Sequence, residues 1–279
     1  MHGKRFMQRS WIQVIFLLFF IFSFTGETFC LEPLTSLDDG FSIPGDGSME
    51  EASLLFPGSE SLIERPYAVL GYSVPFGLED LAVSSFIAGS RFGKTGISLS
   101  WNGSGGDLYS DEQEKLGISY HLSKSIHLGA RLTRNALHIQ GFGRASAWSG
   151  DAGMIFHPAD SFYLAVSYED VAGAELGESK EPLDGRSRAA VSWNLPGEVT
   201  LIGSFTKVRR FDPSCSGGCV LGIGETLNFG IAGANEPNRI EFLSSIMVRN
   251  LKFSYRGSFL GDLGFTHGFS IGLGGGKGK

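Results

Sequence analysis

From about Tyr67 onward, apolar and polar residues alternate, and the alternating runs are joined by links that are by turns short and long. Few folds tolerate both patterns at once. Period-2 alternation describes strands with one apolar and one polar face. Leu116, Ile118, Tyr120 and Leu122 alternate with Gly117, Ser119 and His121. Ile126, Leu128, Ala130 and Leu132 alternate with His127, Gly129, Arg131 and Thr133. The same reading continues through Phe162–Glu169, Arg188–Leu195, Leu251–Arg256 and Phe265–Leu273. Fourteen strands are predicted, at 67–74, 81–91, 95–103, 114–122, 125–134, 145–157, 161–170, 187–195, 198–208, 219–225, 227–234, 239–248, 250–258 and 264–273. Tight turns follow every second strand, as at Gly93-Lys94, Ser123-Lys124 and Pro196-Gly197. Longer links intervene at 103–113, 135–143, 171–186, 209–218 and 235–238. Short turns on one side, long loops on the other and an even strand number define an all-β, transmembrane, antiparallel up-and-down β-barrel with both ends in the periplasm. The alternatives are a twelve-stranded barrel and a soluble exported β-sandwich or propeller.

The residues before this region differ. Lys4, Arg5 and Arg9 precede an apolar run from Trp11 to Phe24, which reads as an export signal over 1–30, with an uncleaved anchor helix or a lipoprotein modified at Cys30 as the alternatives. That run is shorter than the ~20 residues a spanning helix needs. No later stretch is long and apolar enough either, so a closed barrel is the one way left to cross a bilayer. Residues 31–66 are rich in Gly, Ser, Asp and Glu, with a short helix expected near 48–55. They read as a periplasmic or plug segment, ahead of the barrel at 67–273 and a flexible tail at 274–279. With 23 basic against 29 acidic residues, the net charge of −6 excludes a nucleic-acid binder. The 40 glycines and 23 phenylalanines, with only 19% charged residues, suit a wall in contact with lipid.

In such a wall the polar face looks inward. Arg131, Asp151, Glu169, Arg188, Asn194, Glu241, Lys252 and Arg256 are therefore the candidate lumen-lining residues, because an Arg or Lys at the bilayer midplane costs roughly 2–4 kcal/mol when it faces lipid. They either line a polar path or form a salt-bridged filling. Trp101, Trp148, Trp193, Tyr72, Tyr120, Tyr168 and Tyr255 are candidates for interfacial girdles. Cys215 and Cys219 flank Ser-Gly-Gly in a predicted loop, so a disulfide is expected in an oxidising compartment, with free thiols or a metal site as the alternatives. The six histidines are scattered. No HExxH, GxSxG or P-loop spacing occurs, so neither a catalytic site nor a cofactor nor a metal is expected.

Three segments carry a resemblance. Tyr72-Ser-Val-Pro-Phe-Gly-Leu-Glu-Asp-Leu81 resembles the opening strand of the PorV/PorQ-like branch of FadL-type outer-membrane proteins. Asp151–Ser167 is similar to its central hairpin and Phe265–Leu273 to its closing strand. Gly45–Ser59 is similar to the N-terminal hatch, although Phe56 is followed by Pro57-Gly58 without the usual Asn and Ala. The resemblance implies a fourteen-stranded barrel with an N-terminal plug in the outer membrane of a Gram-negative bacterium. It implies passive transport of small hydrophobic or amphipathic solutes, as in FadL-type members. The alternative is a PorV-like docking component of a secretion complex, with the charged link between Asp170 and Ala189 as its recognition loop. Expected partners are outer-membrane lipid and a hydrophobic ligand or a secretion-complex protein.

Overall fold

The computed structural model describes residues 42, 44, 49–177, 180–224 and 226–274. The expected leader at 1–30 and the tail beyond Gly274 lie outside them. Fourteen antiparallel strands close into a barrel. In chain order they are β1 (Tyr67–Val74), β2 (Val83–Phe92), β3 (Thr95–Gly105), β4 (Tyr109–Ser123), β5 (Ile126–Ile139), β6 (Gly143–Ala159) and β7 (Phe162–Tyr168), then β10 (Arg186–Leu195), β11 (Val199–Val208), β12 (Ser214–Ile223), β13 (Leu227–Asn235), β14 (Asn238–Val248), β15 (Leu251–Leu260) and β16 (Gly264–Leu273). Two short strands, β8 (Glu175–Leu176) and β9 (Glu181–Pro182), form a separate hairpin between β7 and β10. Each barrel strand pairs with its predecessor in the ring. β1 closes the cylinder against β16, with Leu70 opposite Ile271 and Tyr72 opposite Phe269.

Burial runs inside out relative to a water-soluble protein. Leu99, Leu116, Ile118, Leu132, Ile231, Phe269 and Ile271 are exposed on the outer face. Ser98, Ser100, Ser119, Ser149, Ser167, Ser192 and Ser270 are buried on the inner face. Alternation sends every second side chain to the same face. An outer apolar belt of this kind is stable only against lipid. Among the described residues no helix is long and apolar enough to cross a membrane.

The strands β4, β5 and β6 run to 15, 14 and 17 residues, beyond the ~9–11 that span a bilayer. The excess explains two links that the sequence reading made too long. Residues 106–108 alone connect β3 to β4, and 140–142 alone connect β5 to β6, because polar stretches such as Asp111–Gln113 stay paired past the apolar belt. One cross-strand row on the outer face sets Trp101, Glu114, Arg134 and Trp148 side by side. Glu114 and Arg134 form an ion pair at 3.1 Å between the two indoles.

The link expected at 209–218 is also shorter. β12 begins at Ser214, so Cys215 and Cys219 lie on one extended strand. Four residues of strand separate their Cα atoms by about 13 Å. A disulfide tolerates no more than about 7 Å. The expected disulfide is therefore absent, and both thiols are free.

Candidate functional site

The barrel's interior is occupied by the chain's own N-terminal segment. A helix, α1 (Met49–Leu55), leads through Phe56-Pro57-Gly58 into a 3₁₀ turn at Ser59–Ser61. The segment from Glu51 to Ser61 is buried throughout. It meets the inner wall on every side of the ring.

Toward β1 and β2, Leu54 and Ile63 pack with Tyr67, Val69 and Ile87, and the Ser53 and Tyr67 hydroxyls lie 3.0 Å apart. Toward β3 and β5, the Glu60 carboxylate accepts hydrogen bonds from the Gly58 N–H at 2.9 Å and the Ser98 hydroxyl at 3.0 Å. It also faces the Arg131 guanidinium at 3.3 Å. Arg131 donates further to the carbonyls of Ser53 and, at 2.7 Å, Leu54. Toward β15 and β16, Glu51 pairs with Arg256 and accepts the Ser270 hydroxyl at 3.0 Å. Arg256 also donates to Ser42 at 2.9 Å, and Ser192 of β10 donates to the Pro44 carbonyl.

Phe56 is 1% exposed and seals the remaining side. Leu55 and Phe56 pack into a cluster with Ile155, Ala165, Ala190, Ile202, Val220, Ala232 and Leu243. Those seven wall residues come one each from seven consecutive strands, β6 to β14. The inner wall thus carries a continuous apolar band over this arc, at the level of Phe56.

The wall is hollowed to receive the turn. Gly96, Ser119, Gly129 and Gly153 form one in-register row across β3 to β6. A Cβ at Gly129 would fall 2.1 Å from the Gly58 nitrogen, and one at Gly96 would fall 2.5 Å from the Glu60 carbonyl carbon. Only glycine lets the two backbones approach so closely.

The eight polar residues singled out in the sequence fall into distinct groups. Arg131 and Arg256 bind the inner segment, as described. Asp151 accepts the Thr133 hydroxyl at 2.8 Å and the Asp170 N–H at 3.1 Å, which pins the base of the β7–β10 loop to the wall. Glu169 and Arg188 form an ion pair, with Lys115 and Arg186 contributing further positive charge around the carboxylate. Glu241 pairs with Arg239, its neighbour two residues back on β14. Asn194 accepts the Thr200 hydroxyl at 2.7 Å, and Lys252 is buried. Strand parity does not reveal the partners Glu51 and Glu60, which lie in a segment without alternation. The recoverable signal was the row of inward glycines, which marks where another backbone must approach.

Neither a protein-family model nor a curated protein sequence matches this chain. Solved structures do. The chain is similar to the CymD monoaromatic hydrocarbon channel at 9% identity and a TM-score of 0.58, over 81% of this chain and 92% of that one. It is similar to a Pseudomonas aeruginosa FadL homologue at 10% identity and a TM-score of 0.59, over 85% and 95%. It is similar to the P. putida toluene transporter TodX at 9% identity and a TM-score of 0.58, over 81% and 94%. The fold is therefore that of a FadL-type barrel. The PorV/PorQ branch of the resemblance has no counterpart among these three.

Proposed function

We propose that the protein is a passive outer-membrane channel for small hydrophobic or amphipathic solutes, gated by its N-terminal segment. The observation that carries this reading is the apolar arc inside the barrel, covered by Phe56. A water-filled pore for polar solutes gains nothing from Ile202, Val220 and Leu243 facing inward from neighbouring strands. A hydrophobic solute entering from the long-loop end does gain. It exchanges water for that arc at roughly 25 cal/mol per Å² of apolar area buried, once Phe56 yields its place. Transport down a gradient needs no cofactor and no covalent step. The likeness in fold to structures described as hydrocarbon channels supports the same reading.

The test is uptake of radiolabelled toluene and of a long-chain fatty acid into vesicles reconstituted with the purified barrel. Saturable uptake of either above that of empty vesicles is expected, with glucose excluded. Uptake equal to that of empty vesicles would overturn the transport reading. A sealed barrel that co-purifies stoichiometrically with a secretion component would instead favour the docking role.

A further inference from the structure

At the short-turn end of the barrel, periplasmic in this orientation, four rings from adjacent strands line the mouth of the lumen. His121 of β4 stacks on His127 of β5 with centroids 4.4 Å apart. His127 meets His157 of β6 at 5.0 Å, and His157 stacks on Tyr163 of β7 at 5.4 Å. The Nε2 atoms of His127 and His157 face each other at 2.9 Å.

The hydrogen bonds around this pair assign its protons. Ser61 has one hydroxyl hydrogen and donates it to the Gly58 carbonyl at 3.0 Å. At the 2.7 Å contact with His127 Nδ1 the ring must therefore donate and Ser61 Oγ accept. Neutral His127 then carries its hydrogen on Nδ1 and presents a lone pair at Nε2. The single proton in the gap belongs to His157. A histidine whose Nδ1–H is held by an outer partner, with its Nε2 lone pair aimed at a second imidazole, is prepared as a metal ligand.

We propose that His127 and His157 form a two-imidazole site for a tetragonal transition-metal ion, Cu(II) foremost, which staples the inner segment to the wall at the periplasmic mouth. Two imidazole nitrogens bound cis on a square-planar ion, at bond lengths of about 2.0–2.1 Å, stand about 2.9 Å apart, and on a tetrahedral ion about 3.4 Å. The hydrogen bond already holds the two nitrogens at 2.9 Å, a separation that a tetragonal ion can take over with little movement of the backbone. Binding moves the His157 proton from Nε2 to Nδ1 by exchange with water, so that both ligands remain neutral imidazoles, and each ring pivots to turn its lone pair toward the shared point. Cu(II) also stands highest in affinity among first-row divalent ions for nitrogen sites. Among the described residues no group of three His, Cys, Asp or Glu is arranged to hold a metal ion, so water completes the coordination and the site stays open to the periplasm. Of the neighbouring charges, Arg91 bonds the Ser61 carbonyl at 3.2 Å and is balanced by Glu64 at 3.6 Å. Asp160 acts electrostatically on His157 with the opposite sign. Because Ser61 belongs to the inner segment, a bound ion couples that segment to β5 and β6. This inference stands independently of what the barrel carries.

The experiment is titration of the folded, detergent-solubilised barrel with Cu(II) alone, followed by calorimetry and electron paramagnetic resonance. One saturable ion per chain is expected, with hyperfine coupling to two imidazole nitrogens. H127Q and H157Q each weaken binding at least tenfold while the barrel keeps its heat-modifiable gel shift. S61A weakens it by about 10–100-fold, the usual cost of losing an outer-sphere partner. H138Q and H267Q, away from the ladder, leave it unchanged. Absence of saturable binding by the unmodified protein, a one-nitrogen spectrum, or binding that survives H127Q and H157Q would overturn the proposal.

Discussion

Glu60, on the inner segment, holds Arg131 of β5 at 3.3 Å with the two side chains 0% and 2% exposed. Nine residues earlier, Glu51 holds Arg256 of β15, six strands away around the ring of fourteen. The segment is thus braced across the lumen by two buried ion pairs at nearly opposite walls. Removing one member of a buried pair leaves the other uncompensated, at about 3–5 kcal/mol. R131M should therefore lower the unfolding free energy of the barrel in urea by that amount, and E60Q/R131M should recover part of it. An R131M barrel as stable as the unmodified one would mean that the pair does not brace the segment.

The glycine row makes a sharper steric prediction. A side chain at Gly129 collides with Pro57 and Gly58, whereas the nearest atom to a Cβ at Gly150 on β6 is 4.0 Å away. G129V should expel the turn and expose residues near 57–61 to protease while the wall stays resistant. G150A should be silent. Equal protease resistance in both variants would contradict the docking geometry.

Ile118 lies in the middle of the outer apolar belt of β4 and is 56% exposed. On a soluble surface, I118R would change stability little. Facing lipid, it should cost roughly 2–4 kcal/mol of folding free energy into vesicles. A negligible cost there, measured by denaturant titration, would argue against a lipid-facing wall.

Cys215 and Cys219 should both react as thiols. The folded, unreduced protein should take up one equivalent of a maleimide at each of these two positions after gentle detergent exchange, and reduction should not change its gel mobility. One strand holds Cys215 and Cys219 too far apart to bond. A mobility shift on reduction would require β12 to unpair from both neighbours.

Strand order and faces were legible because lipid outside and a filled lumen inside impose opposite chemistries on alternate residues. The bounds of β1 and β16, Tyr67–Val74 and Gly264–Leu273, follow directly from that alternation. It misleads where another force decides. Ser214–Gly218 reads as a turn from its glycines, yet Gly217 is held in register between Gly203 and Gly233 by ladder hydrogen bonds. The outer ends of β4 to β6 lose their apolar face and remain strands for the same reason. The interior partners were not legible. Which acid meets Arg131, or that His127 meets His157, depends on cross-strand register and on a segment with no period of its own.

Ion conductance across a planar bilayer tests most directly whether the inner segment closes a path through this barrel. The unmodified protein should be silent to ions while still carrying radiolabelled toluene into vesicles. E51Q/E60Q, which removes both carboxylates of the brace, should open discrete conductance steps. An unmodified barrel that conducts ions freely, or a double variant that stays closed although its inner segment has become accessible to protease, would contradict the account.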